Sequence, residues 1–248
     1  MDKIRDYQQI VNELFNLQTP FKKEVIGYVN YWKRTYPILK LSLSSSHRKK
    51  TILITSGHHG DEPFAVHTLI AWIKQFKSKD FKNLEFYIFP ICNPWGFETG
   101  SRENGYKQDT NNDQALVKNS KVAELAILFE HFPLLTDLFI DLHGETYQTH
   151  AYCYEKKLDL LPSLATIALQ EVDSIIPYSR QKTILKNPIE KGVMCPRLWE
   201  IGLEGLMEKR GIKYSITVEL PGRFDGQKRI EGGIAILNSI LHHYSEIK

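Results

Sequence analysis

Short apolar runs alternate with amphipathic segments along most of the chain, and this alternation predicts both strands and helices. Six apolar runs are typical of buried strands, at residues 37–43, 51–57, 84–91, 136–142, 149–154 and 214–220. Apolar residues recur every three or four positions near the N-terminus, over residues 62–78 and near the C-terminus, which predicts three helices. The alternation favours a single-domain α/β fold with a mixed, twisted sheet and helices on both faces.

One long polar segment, residues 98–113, interrupts the alternation, and Tyr106 is its bulky apolar residue. A loop of this length inside a compact domain is usually functional or disordered. It follows the third predicted strand, so we expect it at the carboxyl edge of the sheet. Ligands bind outside this edge in open α/β sheets.

Histidines follow two of the predicted strands. His59 and Glu62 come after the second strand, and His143 comes directly after the fourth. Two imidazoles and a carboxylate form a ligand set that holds a catalytic Zn²⁺ and leaves one position for water. His58 and Asp61 form a second pair with the same spacing, so the spacing alone leaves two frames open.

The last predicted strand ends with an acidic candidate. Ser215, Thr217 and Glu219 share one face of this strand, and apolar side chains share the other. A glutamate beside bound Zn²⁺ can take a proton from the metal's water and pass it to a leaving amine. A salt-bridged carboxylate at a strand end explains Glu219 equally well from the pattern alone.

Composition and charge narrow the function classes. The chain has 248 residues, 42% of them hydrophobic, which is enough for the core of one domain over residues 1–248. The net charge is +3 and the basic residues are scattered, so nucleic-acid binding is not implied.

The sequence shows no signal peptide or membrane span, and a cytoplasmic location is expected. Cys92, Cys153 and Cys195 are predicted to be buried thiols, because they are odd in number and widely spaced.

The motifs occur in an order that resembles the zinc carboxypeptidase family, in which succinylglutamate desuccinylase and aspartoacylase form a more distant branch. The family pattern is H-x-x-E, N-P-x-G, an arginine, D-x-N-R, a strand-end histidine and a late glutamate. The corresponding segments are His59-Gly60-Asp61-Glu62, Asn93-Pro94-Trp95-Gly96, Arg102, Asp109-Thr110-Asn111-Asn112, Asp141-Leu142-His143 and Glu219. The segment from Gly211 to Leu220 also resembles the carboxypeptidase strand that carries the general base.

The resemblance implies a site for one Zn²⁺ formed by His59, Glu62 and His143, which chooses between the two frames. It implies that Arg102 polarises the scissile carbonyl and stabilises the oxyanion. It also implies that Asp109 fixes the tautomer of His59, and that the glutamate at the end of the last strand is the catalytic base.

One position departs from the family pattern. Carboxypeptidases use the Asn and Arg of D-x-N-R to bind the terminal carboxylate of the substrate, but here Asn111 is followed by Asn112. Asparagine donates hydrogen bonds without forming a charged bidentate pair. Arg197 is a candidate for the missing positive charge, and Tyr178 and Trp199 are further candidates for contact with substrate.

The sequence therefore predicts a zinc-dependent hydrolase that cleaves an amide bond in a small peptide, like a metallocarboxypeptidase. The alternative is an N-acyl amino acid deacylase with the same metal chemistry. An alternative of another class is a non-catalytic binding module on the same fold, against which the complete ligand set and base argue. The expected partner is a small peptide or acylated amino acid substrate, with no nucleic acid and no membrane.

Overall fold

The computed structural model describes residues 3–44, 50–111, 122–158, 160–194 and 202–247. In chain order its strands are β1 (Lys22–Tyr31), β2 (Arg34–Leu43), β3 (Lys50–Ser56), β4 (Leu84–Phe89), β5 (Leu138–Glu145), β6 (Tyr152–Lys157), β7 (Thr183–Ile184), β8 (Asn187–Pro188), β9 (Val193–Met194) and β10 (Tyr214–Pro221). Within these ranges, eight strands form one sheet in the order β1-β2-β4-β3-β5-β10-β6-β9, while β7 and β8 pair with each other.

The centre of the sheet consists of four parallel strands, β4-β3-β5-β10. Antiparallel strands flank this centre, with β1 and β2 on one side and β6 on the other. The chain moves from β3 outward to β4 and then returns past β3 to β5, so the strand order reverses between β3 and β5. A crevice at the carboxyl ends of two such strands is the usual ligand site of an open α/β sheet.

The helices are α1 (Tyr7–Asn16), α2 (Pro63–Gln75), α3 (Pro94–Thr99), α4 (Ala123–His131), α5 (Leu164–Glu171), α6 (Leu203–Lys209) and α7 (Gly226–Glu246). On one face, α7 packs against both α2 and α5. The crossovers through α2 and through α4 run in opposite directions along the sheet, so right-handed connections place α4 on the other face. The predicted fold class, a mixed α/β sheet with helices on both faces, is confirmed.

Strand β10 shows how the sequence pattern divides the two faces. The rings of Tyr214 and Tyr244 of α7 are 5.7 Å apart, and Leu220 lies against Gly233 of α7. Side chains alternate along a strand, so Glu219 faces away from α7. The predicted alternation of this strand therefore decides on which face the candidate base lies.

Several element boundaries differ from the sequence prediction. Strand β1 was not predicted, because it is a largely exposed edge strand interrupted by a register shift between Val25 and Gly27. The strand predicted at 149–154 begins three residues later, and Ala151 forms only an isolated bridge. The helix predicted over 62–78 is shorter because Pro63 begins it, and it ends at Gln75.

Two of the three predicted buried thiols are confirmed. Cys92 and Cys153 are buried and free, and burial raises the pKa of each thiol well above its usual value. Cys195 lies outside the described residues. In the described ranges, every helix is too short or too polar to cross a bilayer.

Candidate metal centre

Three potential metal ligands meet at the crevice between β3 and β5. His59 and Glu62 lie in the connection between β3 and α2, and His143 lies on β5. One ligand atom from each lies within 4.8 Å of the other two. Glu62 bridges the histidines, with Oε1 2.8 Å from His59 Nδ1 and Oε2 2.9 Å from His143 Nδ1. The structure thus brings the three sequence-predicted ligands together.

The second ring nitrogen of each imidazole, Nε2, has a carboxylate partner of its own. His59 Nε2 lies 3.3 Å from Asp109 Oδ1, and His143 Nε2 lies 2.8 Å from Asp141 Oδ2. An Nε2–H that donates to a carboxylate leaves the Nδ1 lone pair free for a metal. Both Nδ1 atoms face Glu62, so the donors offered are two imidazole nitrogens and a carboxylate. This donor set fits Zn²⁺.

The electrostatics of the centre favour positive charge. Burial lowers the pKa of His59, but its hydrogen bonds with Asp109 and Glu62 outweigh burial and raise it. Burial is outweighed in the same way at His143, where Asp141 and Glu62 raise the pKa well above its ordinary value. Burial raises the pKa of Glu62, yet the two histidines hold it below its usual range. A divalent cation would supply the positive charge that these carboxylates stabilise.

The other frame does not form such a group. His58 is buried, and burial lowers the pKa of its imidazole to about 4, which keeps it neutral. Neither ring nitrogen of His58 has a hydrogen-bond partner among the described residues. Asp61 is exposed. Within the described ranges, the ligand group with His143 uses the frame of His59 and Glu62.

Close backbone packing shapes the loop that carries the first two ligands. A Cβ atom on Gly60 would lie 1.8 Å from the carbonyl carbon of Gly96, so only glycine fits there. Asn93 Nδ2 donates to the His58 carbonyl at 3.1 Å, and Asn93 Oδ1 accepts from Gly96 N at 2.9 Å. The N-P-x-G segment therefore caps α3 and fastens the ligand loop to it.

Arg102 extends to the metal centre from the long polar loop. Its Nη1 lies 3.4 Å from Glu62 Oε1, and its Nε lies 3.6 Å from Asp109 Oδ2. The side chain is 53% exposed, so its guanidinium is open to a ligand. The sequence-predicted electrophile thus lies beside the ligand carboxylate.

Asn111 also lies at the centre and has one uncommitted donor. Its Oδ1 accepts from Leu203 N at 3.3 Å, which ties the loop to the start of α6. Its Nδ2 is 3.5 Å from His143 Nε2, but that nitrogen already donates to Asp141. Two donors do not bond to each other, so Asn111 Nδ2 has no acceptor among the described residues and can donate to another one.

The polar loop is held by Asn104, which the sequence analysis missed. Asn104 Oδ1 accepts from the backbone N–H groups of Tyr106 and Gln108, each at 3.0 Å. Its Nδ2 donates to the buried carboxylate of Glu124 at 3.2 Å. An asparagine followed by glycine in a polar loop is a typical turn signal, and it was present in the sequence. Asp141 was also missed as the partner of His143.

Glu219 lies next to His143, because these two residues are register partners in the parallel pair β5–β10. The pKa of Glu219 is raised to about 8, mainly by burial; the two candidate ligand histidines oppose this increase, and Glu62 and Glu145 contribute to it. Efficient proton transfer needs a group whose pKa lies near the working pH. Glu219 has both the position and the proton affinity of an acid–base group.

Of the remaining substrate-binding candidates, only Tyr178 belongs to the described residues. Asn112, Arg197 and Trp199 lie outside the described residues, so their proposed contacts stay predictions. Tyr178 packs against the core, with the guanidinium of Arg180 4.4 Å from its ring centroid.

Comparison with known proteins identifies the family. A model of the succinylglutamate desuccinylase/aspartoacylase catalytic domain matches residues 48–184. The chain belongs to this family. The matched stretch contains all three candidate ligands. The predicted resemblance is therefore confirmed, and the match lies in its deacylase branch. No curated protein is significantly similar to it in sequence.

Solved structures share its fold. A provisionally named metallopeptidase from Shewanella denitrificans OS217 has a TM-score of 0.81 at 22% identity, with 98% of this chain and 92% of that chain covered. A metallo-carboxypeptidase from Pseudomonas aeruginosa has a TM-score of 0.72 at 14% identity, with 98% of this chain and 69% of that chain covered. A succinylglutamate desuccinylase/aspartoacylase from Rhodobacter sphaeroides has a TM-score of 0.62 at 18% identity, with 91% of this chain and 65% of that chain covered.

Proposed function

We propose that the protein is a zinc-dependent hydrolase that cleaves the amide bond of an N-acyl amino acid. The observation that carries the proposal is the convergence of two imidazole Nδ1 atoms and one carboxylate beside an acid–base glutamate. Membership of the deacylase family supports an N-acyl amino acid as substrate. A small peptide is the second candidate, which the carboxypeptidase-like order of the sequence motifs favours.

His59, Glu62 and His143 would hold the zinc ion through the two Nδ1 atoms and the carboxylate. When bound, zinc lowers the pKa of a coordinated water from 15.7 to about 7. Asp109 and Asp141 keep each imidazole in the tautomer that binds metal, since each accepts the Nε2–H on the far side of the ring.

Glu219 and Arg102 carry the chemical step in this proposal. Glu219 takes a proton from the attacking water, whose oxygen forms a bond to the carbonyl carbon of the amide. The Arg102 guanidinium stabilises the negative charge that develops on the carbonyl oxygen. Glu219 then gives its proton to the amine nitrogen as the C–N bond breaks. Asn111, Asn112 and Arg197 are proposed to contact the substrate.

The test is a hydrolysis screen of the zinc-loaded protein against N-acyl amino acids and small peptides. Glu219→Gln should retain zinc and lose about 10²–10⁴-fold in turnover, because an amide cannot shuttle the proton. Glu103→Gln is a matched control, since Glu103 is an exposed carboxylate in the neighbouring loop. Wild-type turnover in Glu219→Gln would assign the base elsewhere, and absence of any hydrolysis would reject the proposal.

A further inference from the structure

Arg5 contacts the turn that separates the first two candidate metal ligands. The turn runs from His59 to Glu62, and Glu62 N donates to His59 O at 3.2 Å. The Arg5 Nη1 donates to the Gly60 carbonyl, which lies in the middle of this turn and outside the turn's own hydrogen bond. Arg5 is distant from the turn in sequence, and the proposed reaction does not use it.

The same nitrogen of Arg5 joins the turn to helix α3. It donates to the Phe97 carbonyl at 3.1 Å, and a Cβ atom on Gly100, the residue that ends α3, would lie 3.4 Å from the guanidinium carbon. The last carbonyls of a helix have no partner inside it, and the last turn of α3 contains no basic side chain of its own. One charged nitrogen thus bridges the ligand turn and the helix against which that turn packs.

The backbone on either side of Arg5 is anchored, which fixes the origin of this side chain. Residues Lys3–Arg5 form a short 3₁₀ helix. His67 of α2 donates from Nε2 to the Ile4 carbonyl at 2.7 Å, and Asp6 caps α1 by accepting from Gln9 N at 2.9 Å. The guanidinium is therefore held against the turn by contacts that do not involve the candidate metal ligands.

The conformation of the turn shows what the Arg5 hydrogen bond can control. Neither central residue, Gly60 or Asp61, has a positive φ, which fits a type I turn. A type II turn would reverse the peptide between these two residues and place Asp61 at positive φ, which aspartate tolerates. That reversal would turn the Gly60 carbonyl away from Arg5 and change the backbone path between His59 and Glu62. The bond to Arg5 therefore favours one of two accessible forms of the turn.

We propose that Arg5 is a positioning residue of the metal centre, which holds the turn from His59 to Glu62 in the form that binds zinc. The inference rests on the proposed function in taking these two residues as zinc ligands, and it adds the arginine that preorganises them. A turn that is ordered in advance spares the metal the cost of ordering it on binding. If loss of Arg5 leaves the turn in the competent form for about a tenth of the time, the apparent affinity for zinc falls about 10-fold.

A purely structural role for Arg5 makes a different prediction. Its bonds to two carbonyls would then only attach the N-terminal segment to the rest of the molecule, and their loss would lower stability without changing zinc affinity. Lys50 provides the matched control, because its Nζ donates to the Tyr244 carbonyl at 2.7 Å and to the Ile247 carbonyl, at the end of α7. Lys50 begins β3, whereas the candidate ligands follow the end of this strand, so the control lies at the opposite edge of the sheet.

Chelator competition on the full-length protein measures zinc affinity directly and requires no substrate. Arg5→Met should weaken zinc binding by about 10-fold, whereas Lys50→Met should bind zinc as tightly as wild type, although both variants should unfold at lower urea concentration. Methylguanidinium, a soluble copy of the missing group, should restore much of the zinc affinity of Arg5→Ala and leave that of wild type unchanged.

Arg5→Lys keeps the inference testable if Arg5→Met does not fold. Lysine retains the charge, but its ammonium nitrogen lies one bond closer to the backbone than Nη1, so it cannot reach both carbonyls. Its zinc affinity should therefore be lower than that of wild type. Wild-type affinity in Arg5→Met, or in Arg5→Lys where Arg5→Met does not fold, would overturn the inference, as would an equal loss in Lys50→Met.

The same measurement separates failure of this inference from failure of the proposed function. Zinc binding by the wild type without any hydrolysis would reject the proposed function, and the affinities of the variants would still decide the role of Arg5. A wild-type protein that binds no zinc would reject both.

Discussion

The carboxylate that orients His143 lies two residues earlier on the same strand. Asp141 is fully buried and accepts from both Thr55 Oγ1 at 2.7 Å and His143 Nε2 at 2.8 Å. Because side chains alternate along a strand, residues 141 and 143 face the same side. A carboxylate accepts only, so Asp141 requires the Nε2–H tautomer and leaves Nδ1 for the metal.

Asp141→Asn should therefore weaken zinc binding. The amide can turn its NH₂ group towards Nε2 and so permit the wrong tautomer of His143. Mutation of such an outer partner typically costs about 10–100-fold in metal affinity. Competition with a chelator measures the effect, and Asp137→Asn at the distant end of the sheet is the control, since Asp137 accepts from Thr51 N instead. Unchanged affinity in Asp141→Asn would contradict this assignment.

The raised pKa values of His59 and His143 predict that zinc binding releases protons. In the metal-free protein the pKa of each imidazole lies above its ordinary value of 6.5. Zinc binds only neutral imidazole, so the ion must displace the protons that these imidazoles carry, and its apparent affinity should rise with pH. Calorimetry in two buffers of different ionisation enthalpy measures the number released. Equal heats in both buffers, once corrected for zinc–buffer binding, would contradict the prediction.

At the scale of elements, the start of α3 and the loop before α2 are fitted to each other. Gly60→Ala would drive a Cβ atom into the backbone of Gly96, and backbone cannot move aside as a flexible side chain can. We expect a loss of about 1–3 kcal/mol in the free energy of unfolding, the usual range for overpacking, together with weaker zinc binding. Urea unfolding measures the first effect.

Gly226→Ala provides the control for this substitution. Its Cβ would meet Phe64 at 3.5 Å, an ordinary van der Waals contact, and alanine favours the helix that begins there. Stability equal to wild type in Gly60→Ala, or an equal loss in Gly226→Ala, would show that the close approach between α3 and the loop before α2 is not what restrains the site.

The sequence allowed the central elements to be predicted better than the edges. Strands such as β3 are continuous apolar runs because Ile52, Leu53 and Ile54 are buried on both faces. Edge strand β1 has no comparable pattern, since most of its side chains are exposed or half-buried. The site residues were predictable where a motif carried them. The contacts of Asn104 with Glu124 and of Asp141 with Thr55 join residues distant in sequence, which spacing along the chain does not reveal. The pairing of Asp141 with His143, in contrast, follows from the alternation of side chains along β5.

At the scale of the whole molecule, the metal centre joins parts that are distant in sequence. Two candidate ligands belong to the connection after β3, the third belongs to β5, and the candidate base belongs to β10. These strands are neighbours only because the chain reverses its direction of travel along the sheet after β4. Folding of the sheet must therefore precede formation of the ligand set, and a metal that binds this set stabilises the folded state alone.

Zinc should accordingly raise the melting temperature of the protein. A ligand present at 100 times its dissociation constant adds about 2.7 kcal/mol to the free energy of unfolding. For a chain of this size, this corresponds to a rise of about 5–10 °C at about 2–4 °C per kcal/mol. Scanning calorimetry at pH 7.5 with and without zinc measures the shift, and a chelator should reverse it. His143→Ala removes one ligand, so its melting temperature should respond little to zinc. A wild-type melting temperature that does not respond to zinc, or a full response in His143→Ala, would show that the metal does not bind at the crevice between β3 and β5.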